Sequence, residues 1–140
     1  MTIYQIYADL VRRGVRCFSG DYNLDTGADA VAVKLGDAWG VFLDDRRIRT
    51  SAAEMVAVSH EWAHIAEDAT YSIDAPPALK QLAEVIADRC QIEAVLPWRI
   101  LARYLRAGAE PWEIADAEGV TEAFVRKALA YWIERRGKTA

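Results

Sequence analysis

Long apolar runs are absent from this chain. Its hydrophobic stretches are short and broken by charges, so no segment reaches the ~20 apolar residues that a bilayer crossing needs. The opening, MTIYQIYADLVRRG, has neither a long apolar stretch nor a small-residue cleavage site. No signal peptide is expected there, and a cytoplasmic setting is. Cysteine is scarce. Cys17 and Cys90 lie far apart and form no metal-spaced pair, which argues against a disulfide framework and for free thiols in a cytosolic protein. Internal repeats and low-complexity segments are also missing. Histidine occurs only twice.

What is present suffices for one ordinary domain. The chain has 140 residues, and 53% of them are hydrophobic, enough for a real core. The net charge of −4 is unevenly spread. Residues 1–50 carry seven basic and seven acidic side chains, residues 51–96 two and eight, and residues 97–140 eight and six. The acidic middle is where a cation site would be sought. The basic excess of the tail is too small to argue for nucleic acid.

Periodicity orders the elements. Ile3, Ile6, Tyr7, Leu10 and Val11 have helical spacing, and Gly14 stops that helix after Arg13. Val15 to Phe18 reads as a short strand, and Ser19 to Gly27 as a loop. Ala30 to Leu35 and Ala38 to Leu43 flank Gly36-Asp37, a β-hairpin pattern. Asp44 to Arg47 turns the chain, with Arg46 and Arg47 solvated, and Ile48 is a candidate start for a further strand. Ser51 and Glu54 have capping-box spacing, which predicts a helix from Ser51 to about Asp68. Asp74-Ala75-Pro76-Pro77 breaks the chain. Pro77 then suits the first turn of a helix running to Leu96, and Pro97 ends it. Helical segments follow at Trp98 to Ala107, Trp112 to Ala117 and Thr121 to Arg136. Trp39, Trp98 and Trp112 are expected as core or half-buried anchors. The class is α+β: a small antiparallel sheet packed on helices. Residues 1–97 form the expected core domain and residues 98–140 a helical C-terminal subdomain packed on it.

The chemistry is concentrated in His60-Glu61-Trp62-Ala63-His64, an H-E-x-x-H motif. Residues four apart share a helix face, so both imidazoles can reach one ion. Glu61, one step from His60, is angled to meet a metal-bound water and take its proton, as the general base of a zinc hydrolase does. Both histidines of the chain fall in this pentad. Chance placement would produce that about once in a thousand. A third protein ligand is needed, leaving a fourth position open. The next helix offers Glu84 and Asp88, four apart. Glu84 is expected to bind the metal, and Asp88 to accept a hydrogen bond from the far nitrogen of His60 or His64. Glu93 is a weaker rival, two and a half turns further on. Glu67 and Asp68 follow His64 too closely to fold back and are read as solvated acids. Tyr71, in the loop after the motif, is a candidate to point its hydroxyl at a developing oxyanion.

With these residues in place, the chain resembles the ImmA/IrrE family of metallo-endopeptidases over most of its length. WGVFLDDRRIRTSAAEMVAVSHEWAHI resembles the family's strand, turn and zinc helix. EVIADRCQIEAVLPW resembles its E-x-x-A-(D/N)-x-F-A stretch, with Glu84 on the third-ligand position, Ala87-Asp88 on the following pair, and Val95, Leu96 and Pro97 at its apolar end. Short, prophage-associated members share an opening like YQIYADLVRRGV and a closing segment like IADAEGVTEAFVRKALAYW. Trp62, Cys90 and Gln91 depart from the usual residues, and those departures are expected to affect packing only. The resemblance implies a zincin-like domain and a cytosolic zinc endopeptidase with one Zn2+ per chain. The implied substrate is a helix-turn-helix repressor of a mobile element or stress regulon, relieved of its function by cleavage.

Two expectations remain. WEIADAEGVTEAFVRKAL has the pattern of a helix-turn-helix, with Gly119 at the turn and Thr121 as a cap. It is read first as a packing unit, with direct nucleic-acid binding disfavoured. A DNA- or repressor-binding regulator without proteolysis is the alternative function. Seven residues separate the strand Ala38 to Leu43 from Ser51, so the strand should stay near the cleft. At a sheet edge, Val41, Phe42 and Leu43 would pair with an extended protein substrate.

Overall fold

The computed structural model describes residues 1–22, 24, 28–72 and 74–139. Thr2 opens the first helix, α1 (Ile3–Arg12), through a reciprocal cap with Gln5, and Gly14 leaves it at φ +77. One face of α1 buries Ile6 and Leu10.

Three strands follow: β1 (Arg16–Gly20), β2 (Ala30–Leu35) and β3 (Ala38–Asp44). β2 and β3 form the expected hairpin, with Gly36 at φ +64 in its two-residue turn. The sheet order is β1-β3-β2, and β1 runs parallel to β3. The sheet is therefore mixed, which corrects the antiparallel expectation. After β1 the chain re-enters the sheet one position beyond its neighbour, and the hairpin lays β3 into the gap. β3 is hydrogen-bonded on both sides. Val41, Phe42 and Leu43 consequently offer no free main-chain edge, and the docking role expected of them fails. β2 holds an outer position instead. Ile48 begins no strand and packs on the core beyond the turn.

The inner sheet face carries Ala30, Ala32, Val41 and Leu43 and packs on α2 (Ser51–Ala66). Thr50, one residue earlier than expected, caps α2 by accepting from Ala53 N at 3.0 Å. Glu54 is thereby released from capping and accepts the Tyr7 hydroxyl at 2.8 Å, joining α1 to α2. α2 is buried on most of its circumference, from Met55 to Ile65. Trp62 turns its indole N–H to Asp9 of α1 at 2.8 Å.

α3 (Pro77–Val95) packs along α2, with Pro77 at its first position as expected. α4 (Trp98–Arg106), α5 (Pro111–Glu118) and α6 (Glu122–Thr139) complete the chain. Gly119 at φ +69 closes α5, and Thr121 accepts from Phe124 N at 3.2 Å to open α6. Trp132 Nε1 reaches Leu96 O at 3.0 Å, and Tyr131 donates to Glu93 at 2.5 Å. One hydrophobic core runs from Ile6 through Val58 and Leu96 to Val125. Trp39 and Trp98 are half-buried as expected, whereas Trp112 is 56% exposed. Cys17 and Cys90 are free thiols. Among the described residues, no helix is long and apolar enough to cross a membrane.

Candidate metal centre

The turn of α2 brings His60 and His64 together, their Nε2 atoms 3.2 Å apart. α3 brings Glu84 across from them. Its Oε2 lies 3.0 Å from His60 Nε2 and its Oε1 3.2 Å from His64 Nε2. These three residues can hold a metal ion. Glu93, the rival ligand, is elsewhere, accepting from Tyr131 on α6.

The outer hydrogen bonds decide what the three groups present to one another. His64 Nδ1 faces Ala69 O at 2.6 Å, an acceptor only, so Nδ1 carries the proton. His60 Nδ1 faces Gln91 Oε1 at 3.4 Å and Asp88 Oδ1 at 3.5 Å. The orientation of the Gln91 amide is set by its other end, where Nε2 donates to Val56 O and to Ser59 Oγ, each at 2.8 Å. Its oxygen must therefore point at His60, whose Nδ1 again carries the proton. With those Nδ1 protons in place, the two Nε2 atoms point at a shared region, and the Glu84 carboxylate joins them. Two ring nitrogens and a carboxylate 3.0–3.2 Å apart are close enough for one cation to meet all three. The separations also match the edge of a tetrahedron with bonds of 2.0–2.1 Å, about 3.3 Å. The donor set thus fits a divalent ion that accepts two imidazoles and a carboxylate.

Asp88 holds its expected place near His60 but shares it. Its Oδ1 also accepts Lys127 Nζ from α6 at 2.8 Å. Tyr71 comes to the centre with its hydroxyl donating to Glu84 Oε1 at 3.1 Å, so in this arrangement it steadies the carboxylate. Glu84 is held below its ordinary pKa. Burial acts to raise it, but His64, His60 and the Tyr71 hydroxyl together outweigh burial.

Glu61 is only 8% exposed. Burial pushes its carboxyl up to about 7, and the nearby Glu84 charge adds to that, against His64 and a hydrogen bond from the Ala32 backbone N–H. A buried carboxyl placed beside these groups is positioned to exchange a proton with a water held there. The Ala32 contact also shows where the edge strand lies. β2 runs along a cleft of about 1200 Å3 whose floor is His60, Glu61 and His64 and whose far side includes Glu84, Tyr71 and Lys127.

Gln91, the Ala69 carbonyl and Lys127 were not among the expected site residues. Gln91 had a signal: it lies three residues after Asp88 and seven after Glu84, on the ligand face of α3. Lys127 had none, because only the packing of α6 on α3 brings it near. No family model matches the chain, and no curated protein or solved structure is found to be similar to it.

Proposed function

We propose that this chain is a zinc-dependent endopeptidase of the ImmA/IrrE type that its sequence resembles, with a zincin-like centre. The observation that supports this most is the convergence of His60 Nε2, His64 Nε2 and the Glu84 carboxylate, with buried Glu61 next to them in an open cleft. Two imidazoles and one carboxylate are the ligand set of hydrolytic zinc, which when bound acts as a Lewis acid toward water and a peptide carbonyl.

The protein's own residues then have distinct tasks. Glu61 takes a proton from the attacking water at its carboxylate and delivers it to the departing amine nitrogen. Asp88, Gln91 and the Ala69 carbonyl keep the histidine Nδ1 protons in place, so that both Nε2 atoms stay available. β2, at the edge of the sheet and alongside the cleft, pairs with an extended stretch of substrate through its outward backbone groups. That mode requires a flexible segment, such as a linker in a repressor of the helix-turn-helix type, cut in the cytoplasm.

The regulator alternative has less support. In the segment proposed to read DNA, Arg126 is ion-paired with Glu122 and Lys127 with Asp88. The deciding experiment is metal analysis of the purified protein together with mass spectrometry of a co-expressed candidate repressor. Close to one zinc per chain, and a defined cut that Glu61→Gln abolishes, is expected. Salt-sensitive retardation of duplex DNA without any cut would favour the regulator.

A further inference from the structure

The cleft has two walls of separate origin. β2 forms one. The start of α6 forms the other, with Thr121, Ala123, Phe124 and Lys127 lining the same space as His60 and Glu61. Three contacts hold this second wall. Thr121 caps the first turn of α6 through Phe124 N at 3.2 Å. Phe124 is only 3% exposed and belongs to the core. Lys127 Nζ is fixed at 2.8 Å to Asp88, whose Oδ1 lies 3.5 Å from His60 Nδ1. The start of α6 is thus tied through Asp88 to His60.

The chemistry of this end of the cleft is apolar. Val56 and Ala57 of α2, one turn before His60, face the same space as Ala123 and Phe124. Lys127, which lines this end, is paired with Asp88. An apolar side chain entering between Val56, Ala57 and Ala123 would gain by burial. A peptide paired along β2 sends alternate side chains toward the α2 floor, so one of them falls where α6 begins.

We propose that the first turn of α6 selects the substrate, walling a subsite beside the metal that takes one apolar side chain of an extended peptide. This rests on the metallopeptidase reading above. Ala123 is exposed and carries only a methyl group, so the wall is lowest there and substitution need not disturb the core.

The test uses two dipeptide hydroxamates that are identical except that one bears an isobutyl side chain and the other none. Their binding to the zinc-loaded full chain is measured by calorimetry. The isobutyl compound should bind at least about tenfold tighter, as burial of a leucine-sized side chain implies. Ala123→Trp, and separately Ala123→Gln, should remove most of that preference. Affinity for the unsubstituted compound, and zinc content, should stay within about twofold of the wild-type values. Equal affinities in the wild type, or a preference that survives both substitutions, overturns the subsite while leaving the metal reading in place. Failure of the wild-type chain to take up zinc at all overturns the metallopeptidase reading, and the subsite with it.

Discussion

The side-chain oxygen of Gln91 faces Nδ1 of His60 at 3.4 Å, and the other end of the same amide is held by Val56 O and Ser59 Oγ. A fully buried glutamine on α3 thereby sets the tautomer of a histidine on α2. Gln91→Leu keeps the volume and removes the oxygen. Zinc affinity, measured by chelator competition, should fall about 10- to 100-fold, as for other groups that orient metal ligands. Unchanged affinity in a folded variant would reduce Gln91 to a packing residue.

Ligands and base should separate in variants. His64→Ala and Glu84→Ala should lose most of the metal, and Glu93→Ala should retain it, because Glu93 is engaged by Tyr131 away from the centre. Glu61→Gln should retain zinc and slow hydrolysis by about 10²- to 10⁴-fold. Elemental analysis and turnover measured on the same preparations make the comparison. Tight zinc in Glu84→Ala would remove Glu84 from the ligand set.

The correction of the sheet order moves the docking edge. Ala32 donates its N–H to Glu61, and Lys34, two residues on, presents its N–H on the same side of β2. Lys34→Pro should raise KM about fivefold, equivalent to the loss of ~1 kcal/mol of hydrogen bonding, with zinc content unchanged. Phe42→Pro should instead unfold the sheet, because β3 is paired on both sides. Normal cleavage by a folded Lys34→Pro variant would count against strand pairing at β2.

Acid stability should depend on Asp9. Hydrogen bonds from Arg12, then from Trp62 and Arg13, hold its carboxyl well below the usual range. A depressed folded pKa adds stability above the unfolded value of about 3.9, and that contribution is lost as pH falls below it toward the folded value. Asp9→Asn should lower stability at pH 7 by on the order of 2 kcal/mol and flatten the decline between about pH 5 and pH 2. Parallel acid unfolding curves for the two proteins would show that Asp9 contributes nothing through its charge.

Much of the candidate site was legible because it is local. His60 and His64 meet through helical spacing alone, and Pro77 with the 19 residues between His64 and Glu84 allows α3 to return beside them. The two-residue turn at Gly36-Asp37 is equally local. The cap on α2 was misplaced by one residue because Thr50 and Ser51 are adjacent hydroxyl residues and only one can hold the N-cap dihedrals. Helical spacing puts Asp88 one turn from Glu84, but its partner Lys127 lies 39 residues away and only the fold brings it there.

The sequence by itself determined the helices, the hairpin and the identity of the groups that can meet an ion, since each follows from spacings within a turn or two of chain. Tertiary structure decided which strand is central, which way the Gln91 amide points and which helix walls the cleft. Those outcomes depend on pairings between segments distant in sequence. Periodicity states which face of a segment is buried, but it carries no information about what that face is buried against.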